Sequence, residues 1–214
     1  MLGRAGERRD LDPVLVRLLD HVENGVDIIV AQGYEAGGHT GEVASMVLTP
    51  DIVDAVGPDV PVLGAGGIGS GRQVAASLAL GAQGVWTGSI WLGTEEYRNL
   101  ASNQGWETAF LRATSSDTVR TRIYTGKPAR LLKTKWTEAW AEADAPEPLP
   151  MPLQNLLVAE AHNRINASSN PDVISMPIGQ IVGRMNEVRP VADVIAALVA
   201  EYDEAVDRLD SYRK

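Results

Sequence analysis

Apolar positions first recur at helical spacing in Leu11–Asn24, where Val14, Leu15, Leu18, Leu19 and Val22 share one face; Asp12 can cap that helix and Pro13 suits its first turn. Gly25 ends it, and Val26–Ala31 (VDIIVA) follows as an almost wholly apolar run. A strand without polar alternation is expected to be buried on both faces, as in a parallel sheet covered by helices. Thr49-Pro50 then reads as the start of a helix reaching about Val56 and stopped by Gly57. Pro61–Ala65 is a second buried strand, Gly71–Leu80 a helix of small residues closed by Gly81, and Gly84–Ser89 a third strand. Helix and strand alternate with short connections, which predicts an α/β fold with parallel strands.

From Thr94 onward the pattern changes. Helical stretches around Glu95–Ala113 give way to TSSDTVRTRIYTGKPAR, a polar segment without steady periodicity. The Pro-rich Ala145–Pro152 separates it from a helix near Leu153–Ile165. A last helix begins at Pro190 and aligns Val194, Ile195, Leu198, Val199, Tyr202, Val206 and Leu209 on a stripe expected to pack back on the strands.

Composition narrows the function classes. The chain has 214 residues, 44% of them apolar and 22% charged, enough to bury a sizeable core. Nineteen basic against 28 acidic residues leave a formal charge of −9, without the basic footprint that nucleic acid needs. The absence of Cys excludes disulfides, thiolate metal sites, iron–sulfur clusters and a cysteine nucleophile. MLGRAGERRD at the start has no apolar run and no 18-residue apolar stretch occurs, so neither a signal peptide nor a membrane span is expected, and a cytoplasmic protein fits.

Three glycine-rich turns follow the three strands, at the end where parallel α/β folds bind ligands: Ala31–Gly41, Gly64–Arg72 and Trp86–Ser89. Gly64, Gly66 and Gly69 match G-x-G-x-x-G, but the next strand ends at Thr87-Gly88-Ser89 without the acidic residue that would hold a ribose, so a Rossmann reading is rejected. Two readings of the second and third turns stand equal on spacing. One is a phosphate cradle, with Gly66 and Gly67 on one side and Gly88 and Ser89 on the other; the other is tight strand-to-helix turns and nothing more. Of the three histidines, His21 reads as solvated and His162 as a surface or interface residue. His39, between Gly37-Gly38 and Gly41, has the chemistry of a base at neutral pH, though a loop histidine bonding a carbonyl is the simpler reading. Glu35 and Glu42 are wrongly spaced for a metal site beside it, so no metal is expected. Trp86 and Trp91 could touch an aromatic ligand but read first as core filling, and Arg120, Arg122, Lys127 and Arg130 read first as a solvated basic surface and second as an attractor of an anionic substrate.

Taken together, AQGYEAGGHTG (31–41) and PVLGAGGIGSGRQVAASLALGAQGVWTGS (61–89) resemble the nitronate monooxygenase family, formerly called 2-nitropropane dioxygenases. TVRTRIYTGKPAR (118–130) and MPIGQIVGRM (176–185) look like that family's downstream pieces, so the resemblance covers Leu11 to Leu209. It implies a TIM-barrel flavoenzyme that uses FMN and oxygen to convert nitronates, or nitroalkanes, to carbonyl compounds and nitrite. It makes His39 the active-site histidine, a base toward a neutral nitroalkane or an orienting group toward a nitronate anion. It puts Gln32, Gly33, Gly37 and Gly38 along the flavin, Gly66, Gly67, Gly88 and Ser89 on the FMN phosphate, and Gln180 near the active site.

The family's barrel has eight strand–helix units, and the strands here resemble only the sixth, seventh and eighth. Three strands cannot close a barrel. The expectation is therefore a partial (β/α)8 barrel: residues 1–93 as its C-terminal, FMN-binding part, 94–189 as a helical and loop insertion, and 190–214 as a helix packing on the barrel part. The chain would be a C-terminal portion of such an enzyme, and the open sheet edges make a homo-oligomer conceivable. The alternatives are a flavin-dependent enoyl-acyl-carrier-protein reductase, which shares a GGH turn and the phosphate turns, and an inactive remnant of the family.

Overall fold

A computed structural model describes residues 18, 20, 22–100 and 105–213. Most of the expected first helix, and His21 with it, lies outside the described residues; Leu18, Asp20, Val22 and Glu23 are helical. The first half continues through β1 (Ile29–Gln32), β2 (Gly38–His39), α1 (Ser45–Val56), β3 (Val62–Ala65), α2 (Gly71–Ala79) and β4 (Gly84–Trp86). Strands β1, β3 and β4 form a parallel sheet in that order, with Ile29 opposite Val62 and Leu63 opposite Gly84. The α/β alternation with parallel strands is thus as the sequence predicts.

Burial differs from expectation. One face of the sheet is covered: Ile29, Ala31 and Val62 pack with Leu18, Ile52 and Val56 into one core cluster. On the other face Val30 is 38% exposed, Ile28 just before the strand 52%, and Trp86 60%. Trp86 pairs with Ala65, and Ala65 with Gln32, so all three stand on that open face. Ala65 is buried on this second side, 3% exposed, while Ile28, Val30 and Trp86 leave the rest of it open. Trp86, read as core filling, is therefore a correction, whereas Trp91 does pack against a core cluster.

Helix α1 starts four residues before the expected Thr49-Pro50. Ala44, its N-cap residue, supplies no side-chain bond. The Ser45 amide is instead met by the carboxylate of Glu35 at 3.1 and 3.3 Å, a partner ten residues away that performs the work of a local cap. Pro50 sits inside the helix, where its missing N–H costs only one bond near the start.

The second half runs from a 3-10 turn (Ser89–Gly93) through α3 (Glu95–Leu100), α4 (Gly105–Arg112), β5 (Thr118–Thr121), β6 (Ala129–Leu132), α5 (Lys135–Ala139), α6 (Leu153–Ala167) and a 3-10 turn (Gln180–Arg184) to α7 (Val191–Asp210). The polar segment without periodicity is a β-hairpin: β5 and β6 pair antiparallel, and β6 also pairs with β2, setting Gly38 opposite Arg130 and His39 opposite Ala129. Strands of four residues are too short to display alternation, and β6 is buried at all four positions. The segment 94–189 thus contains a sheet beside its helices and loops. It has its own core, built on Trp106, Phe110, Leu132, Ile178 and Val182 among others.

Helix α7 corrects another expectation: it packs on α2, not on the strands. A Cβ at Gly71 would lie 2.2 Å from Leu198 O and Tyr202 N, so only glycine permits this approach, and the Gly71 amide donates to Glu201 Oε2 at 2.9 Å. Val194 and Leu198 reach the second core, while Ile195, Val199, Val206 and Leu209 stay exposed.

His162 on α6, expected at the surface or an interface, is half-buried and stacked. Its ring lies 4.3 Å from that of Tyr124 at 23°, with Trp136 edge-on at 5.9 Å, and its buried Nε2 has no hydrogen-bond partner. Burial lowers its pKa from the usual histidine value. The unfolded chain then binds the proton more readily, so stability is full above the unfolded pKa and falls as pH drops below it. His162→Phe keeps the stack and removes the proton, and should show a smaller fall in Tm between about pH 7.5 and pH 5 than the wild type. Equal falls in both proteins would refute this assignment.

Candidate active site

The turns after β1, β3 and β4 converge on one cleft of about 220 Å³, lined by Gln32, Ala36 and Gly37 from the first, Ala65, Gly66, Gly67 and Ile68 from the second, and Trp86, Thr87, Gly88 and Ser89 from the third. Leu92, Pro177, Gly179 and Ile181 complete the wall. Gly66 and Gly67 have φ of +95° and +70°, a left-handed bend that side chains disfavour, and it turns the chain back directly after β3. The amides of Gly66, Gly67, Gly88 and Ser89 make no hydrogen bond among the described residues. Four unpaired donors on residues that line one cleft could seat an anion there. The first amide of α2 does not contribute, because Glu201 already holds it.

A close backbone approach fixes the cleft's far wall. A Cβ on Gly37 would stand 2.7 Å from Gly179 N and Ile178 C, so the Gly37-Gly38 turn and the Pro177–Gln180 segment touch main chain to main chain. Ser89 Oγ accepts Gly179 N–H at 2.8 Å, and Glu35 O accepts Gln180 N–H at 3.0 Å. The Ser89 hydroxyl keeps its own proton for a ligand.

Of the residues expected on the site, Gln32, Gly37, Gly66, Gly67, Gly88 and Ser89 line the cleft. Gly33 lies behind it, buried against Ser45, where a Cβ would meet Oγ at 2.1 Å. Gln180 is held through its amide, and its neighbours Gly179 and Ile181 form the wall instead. Gly38 and His39, in β2, are not among the residues that line the cleft, and His39 is exposed. Gln32 Nε2 donates to His39 O at 2.9 Å, which ties the histidine to a cleft residue, and His39 Nε2 lies 2.6 Å from Thr125 Oγ1. Trp86, weighed in the sequence as a contact to an aromatic ligand but read first as core filling, lines the cleft, whereas Pro177 and Ile181 were not singled out.

The basic cluster is not a solvated surface throughout. Arg130 is 3% exposed and donates from Nε and Nη2 to Tyr34 O at 3.2 and 3.0 Å and from Nη1 to Thr118 Oγ1 at 3.0 Å. Arg120 binds Thr40 Oγ1 and O and pairs with Glu42. Both guanidiniums lie over the Tyr34 ring, at 4.6 and 5.4 Å, so the pair clamps the loop that carries His39. Among the described residues no group of His, Cys, Asp and Glu could hold a metal ion, and no helix is long and apolar enough to cross a membrane.

A family model described as nitronate monooxygenase matches residues 16–201. A putative monooxygenase of Mycobacterium tuberculosis, Rv1533, is 53% identical over 195 residues, covering 88% of this chain and 51% of that protein. Among solved structures, nitroalkane oxidase from Streptomyces ansochromogenes superposes with a TM-score of 0.77 at 28% identity, over 91% of this chain and 57% of the other. FabK from Thermotoga maritima superposes with a TM-score of 0.75 at 30% identity, over 92% and 61%. The chain spans about half the length of the curated relatives it matches.

Proposed function

The chain belongs to the nitronate monooxygenase family of oxidoreductases, and on that premise we propose that it is the C-terminal, FMN-binding portion of a partial (β/α)8 barrel that converts alkyl nitronates to carbonyl compounds and nitrite. The observation that carries this reading is the convergence of four unpaired amides, from two adjacent strand-end turns, on one cleft. Those residues fit a phosphate monoester. Gly66, Gly67, Gly88 and Ser89 would donate to it from their amides, the Ser89 hydroxyl would add a donor, and Gln32, Gly37, Pro177 and Trp86 would flank a flat ring in the same cleft. Bound there, FMN would supply the one-electron redox chemistry for a nitronate, with oxygen as co-reactant.

This chain's own residues bind and orient. His39, held through its carbonyl by the cleft residue Gln32 and through Nε2 by Thr125, would offer its imidazole to a nitronate lying against the ring. The open apolar positions Ile28, Val30 and Trp86, with one neighbouring strand on each of β1 and β4 among the described residues, support further strands at this place in a complete barrel. The same observation favours a second reading, in which the chain by itself retains no flavin.

The visible spectrum of the purified protein, followed by nitrite release from propionate 3-nitronate, tests the proposal. Flavin near one equivalent per chain with nitrite release is expected; a colourless protein favours the second reading, and NADH oxidation without nitrite favours the enoyl reductase chemistry. His39→Ala should keep its flavin and lose turnover about 10- to 100-fold, the worth of one hydrogen bond to a charged group. Full turnover in that variant would remove His39 from the site.

A further inference from the structure

His39 Nε2 has one protein partner, Thr125 Oγ1, at 2.6 Å, and Nδ1 has none among the described residues. A threonine hydroxyl carries one proton and two lone pairs. Thr125 Oγ1 already accepts the Lys127 N–H at 3.3 Å, and the imidazole is its only other partner among the described residues. Thr125 is 9% exposed, so a hydroxyl proton without an acceptor is costly there. If Nε2–H donated to Oγ1, both lone pairs would be filled and the hydroxyl proton left with no protein acceptor. If the hydroxyl donates to Nε2, the Thr125 hydroxyl is fully partnered and only Nδ1, on the exposed side chain of His39, is left for solvent or a ligand.

A neutral imidazole has a single N–H, so an accepting Nε2 puts the proton on Nδ1. We propose that Thr125 is a positioning residue that fixes His39 as the Nδ1–H tautomer, making it a hydrogen-bond donor to a pre-formed nitronate anion rather than a base for a neutral nitroalkane. With one lone pair taken by the Thr125 hydroxyl and the other nitrogen protonated, the ring has nothing with which to remove a substrate proton. A nitronate has already lost that proton and offers an anionic oxygen to Nδ1–H. The arrangement is built into the fold: β2 pairs with β6, the hairpin turn before β6 carries Thr125, and Gly126 N–H closes that turn on Arg122 O at 2.8 Å. The substrate half of this inference rests on the function proposed above; the tautomer does not.

Long-range 1H–15N correlation of the uniformly labelled, flavin-free protein at alkaline pH reads the tautomer, with His39 identified by the signals lost in His39→Gln. Wild type is expected to show a protonated Nδ1 and a bare Nε2. Thr125→Val should move the tautomer ratio at least about fivefold toward Nε2–H, the effect of one net hydrogen bond, and Thr125→Ser should restore it. Predominant Nε2–H in the wild type overturns the proposal even if the valine variant fails to fold, and so does an unchanged ratio in a folded valine variant. An Nδ1–H tautomer in a flavin-loaded protein that prefers 3-nitropropionate to propionate 3-nitronate overturns the substrate half alone.

Discussion

Gly88→Asp should fold like the wild type and lose FMN by at least about a hundredfold. The two halves of that result come from different features of the same residue. Gly88 has φ −126°, a value open to any L-residue, and a Cβ built there meets nothing within 4 Å. Folding therefore gains neither a clash nor strain. The new carboxylate would stand in the cleft between the unpaired amides, where the phosphate is expected to sit. Two like charges about 5 Å apart at an effective dielectric of about 20 repel by about 3 kcal/mol, more than a hundredfold in affinity. Gly88→Ala adds volume without charge and should cost far less. Fluorescence titration with FMN, beside thermal melts of the three proteins, separates binding from folding. An aspartate variant that binds FMN as tightly as the alanine variant would remove this turn from the phosphate site.

What the sequence made legible is what depends on neighbours along the chain. Val62–Ala65 and Gly71–Ala79 are found at or within a residue of their expected limits because apolar runs, glycine stops and helical spacing are local signals. The turn glycines are legible for the same reason: Gly66 and Gly67 follow a strand at once and need φ above zero. Interactions between distant segments stayed hidden. Glu35 caps α1 from outside the helix, Gly37 is glycine because Gly179 arrives against it, and β2 exists as a strand only because β6 pairs with it. The basic cluster was misread on the same account, since charge along a segment says nothing about which side chain turns inward. Arg130 alone carried a warning: Ala129, Leu131 and Leu132 around it are apolar, an unusual setting for a solvated cation.

That warning leads to the largest stability effect expected in the molecule. Arg130→Met should cost about 2–4 kcal/mol, because it deletes three charged N–H donors and leaves Tyr34 O and Thr118 Oγ1 without them in a buried place. Methionine can replace the stem, so the loss reports the fork and not an empty hole. No carboxylate balances the guanidinium among the described residues; carbonyl, hydroxyl and the Tyr34 ring hold it instead. Arg130→Lys should therefore rescue little, since one ammonium cannot reach a carbonyl and a hydroxyl on opposite sides with the same planar spread. Arg120→Met should cost less. Its partner Glu42 is 75% exposed at the side chain, and water can replace the lost donors at the loop edge. Urea unfolding midpoints give the ranking directly. Hydrogen exchange across β2–β6 adds the functional link, because Gly38 faces Arg130 in that ladder and His39 is the next residue. Faster exchange there in Arg130→Met, with the β1–β3 ladder unchanged, is expected if the clamp on Tyr34 holds the histidine loop in place. An Arg130→Met protein within about 0.5 kcal/mol of wild type would mean that the β2–β6 pairing positions His39 without that clamp.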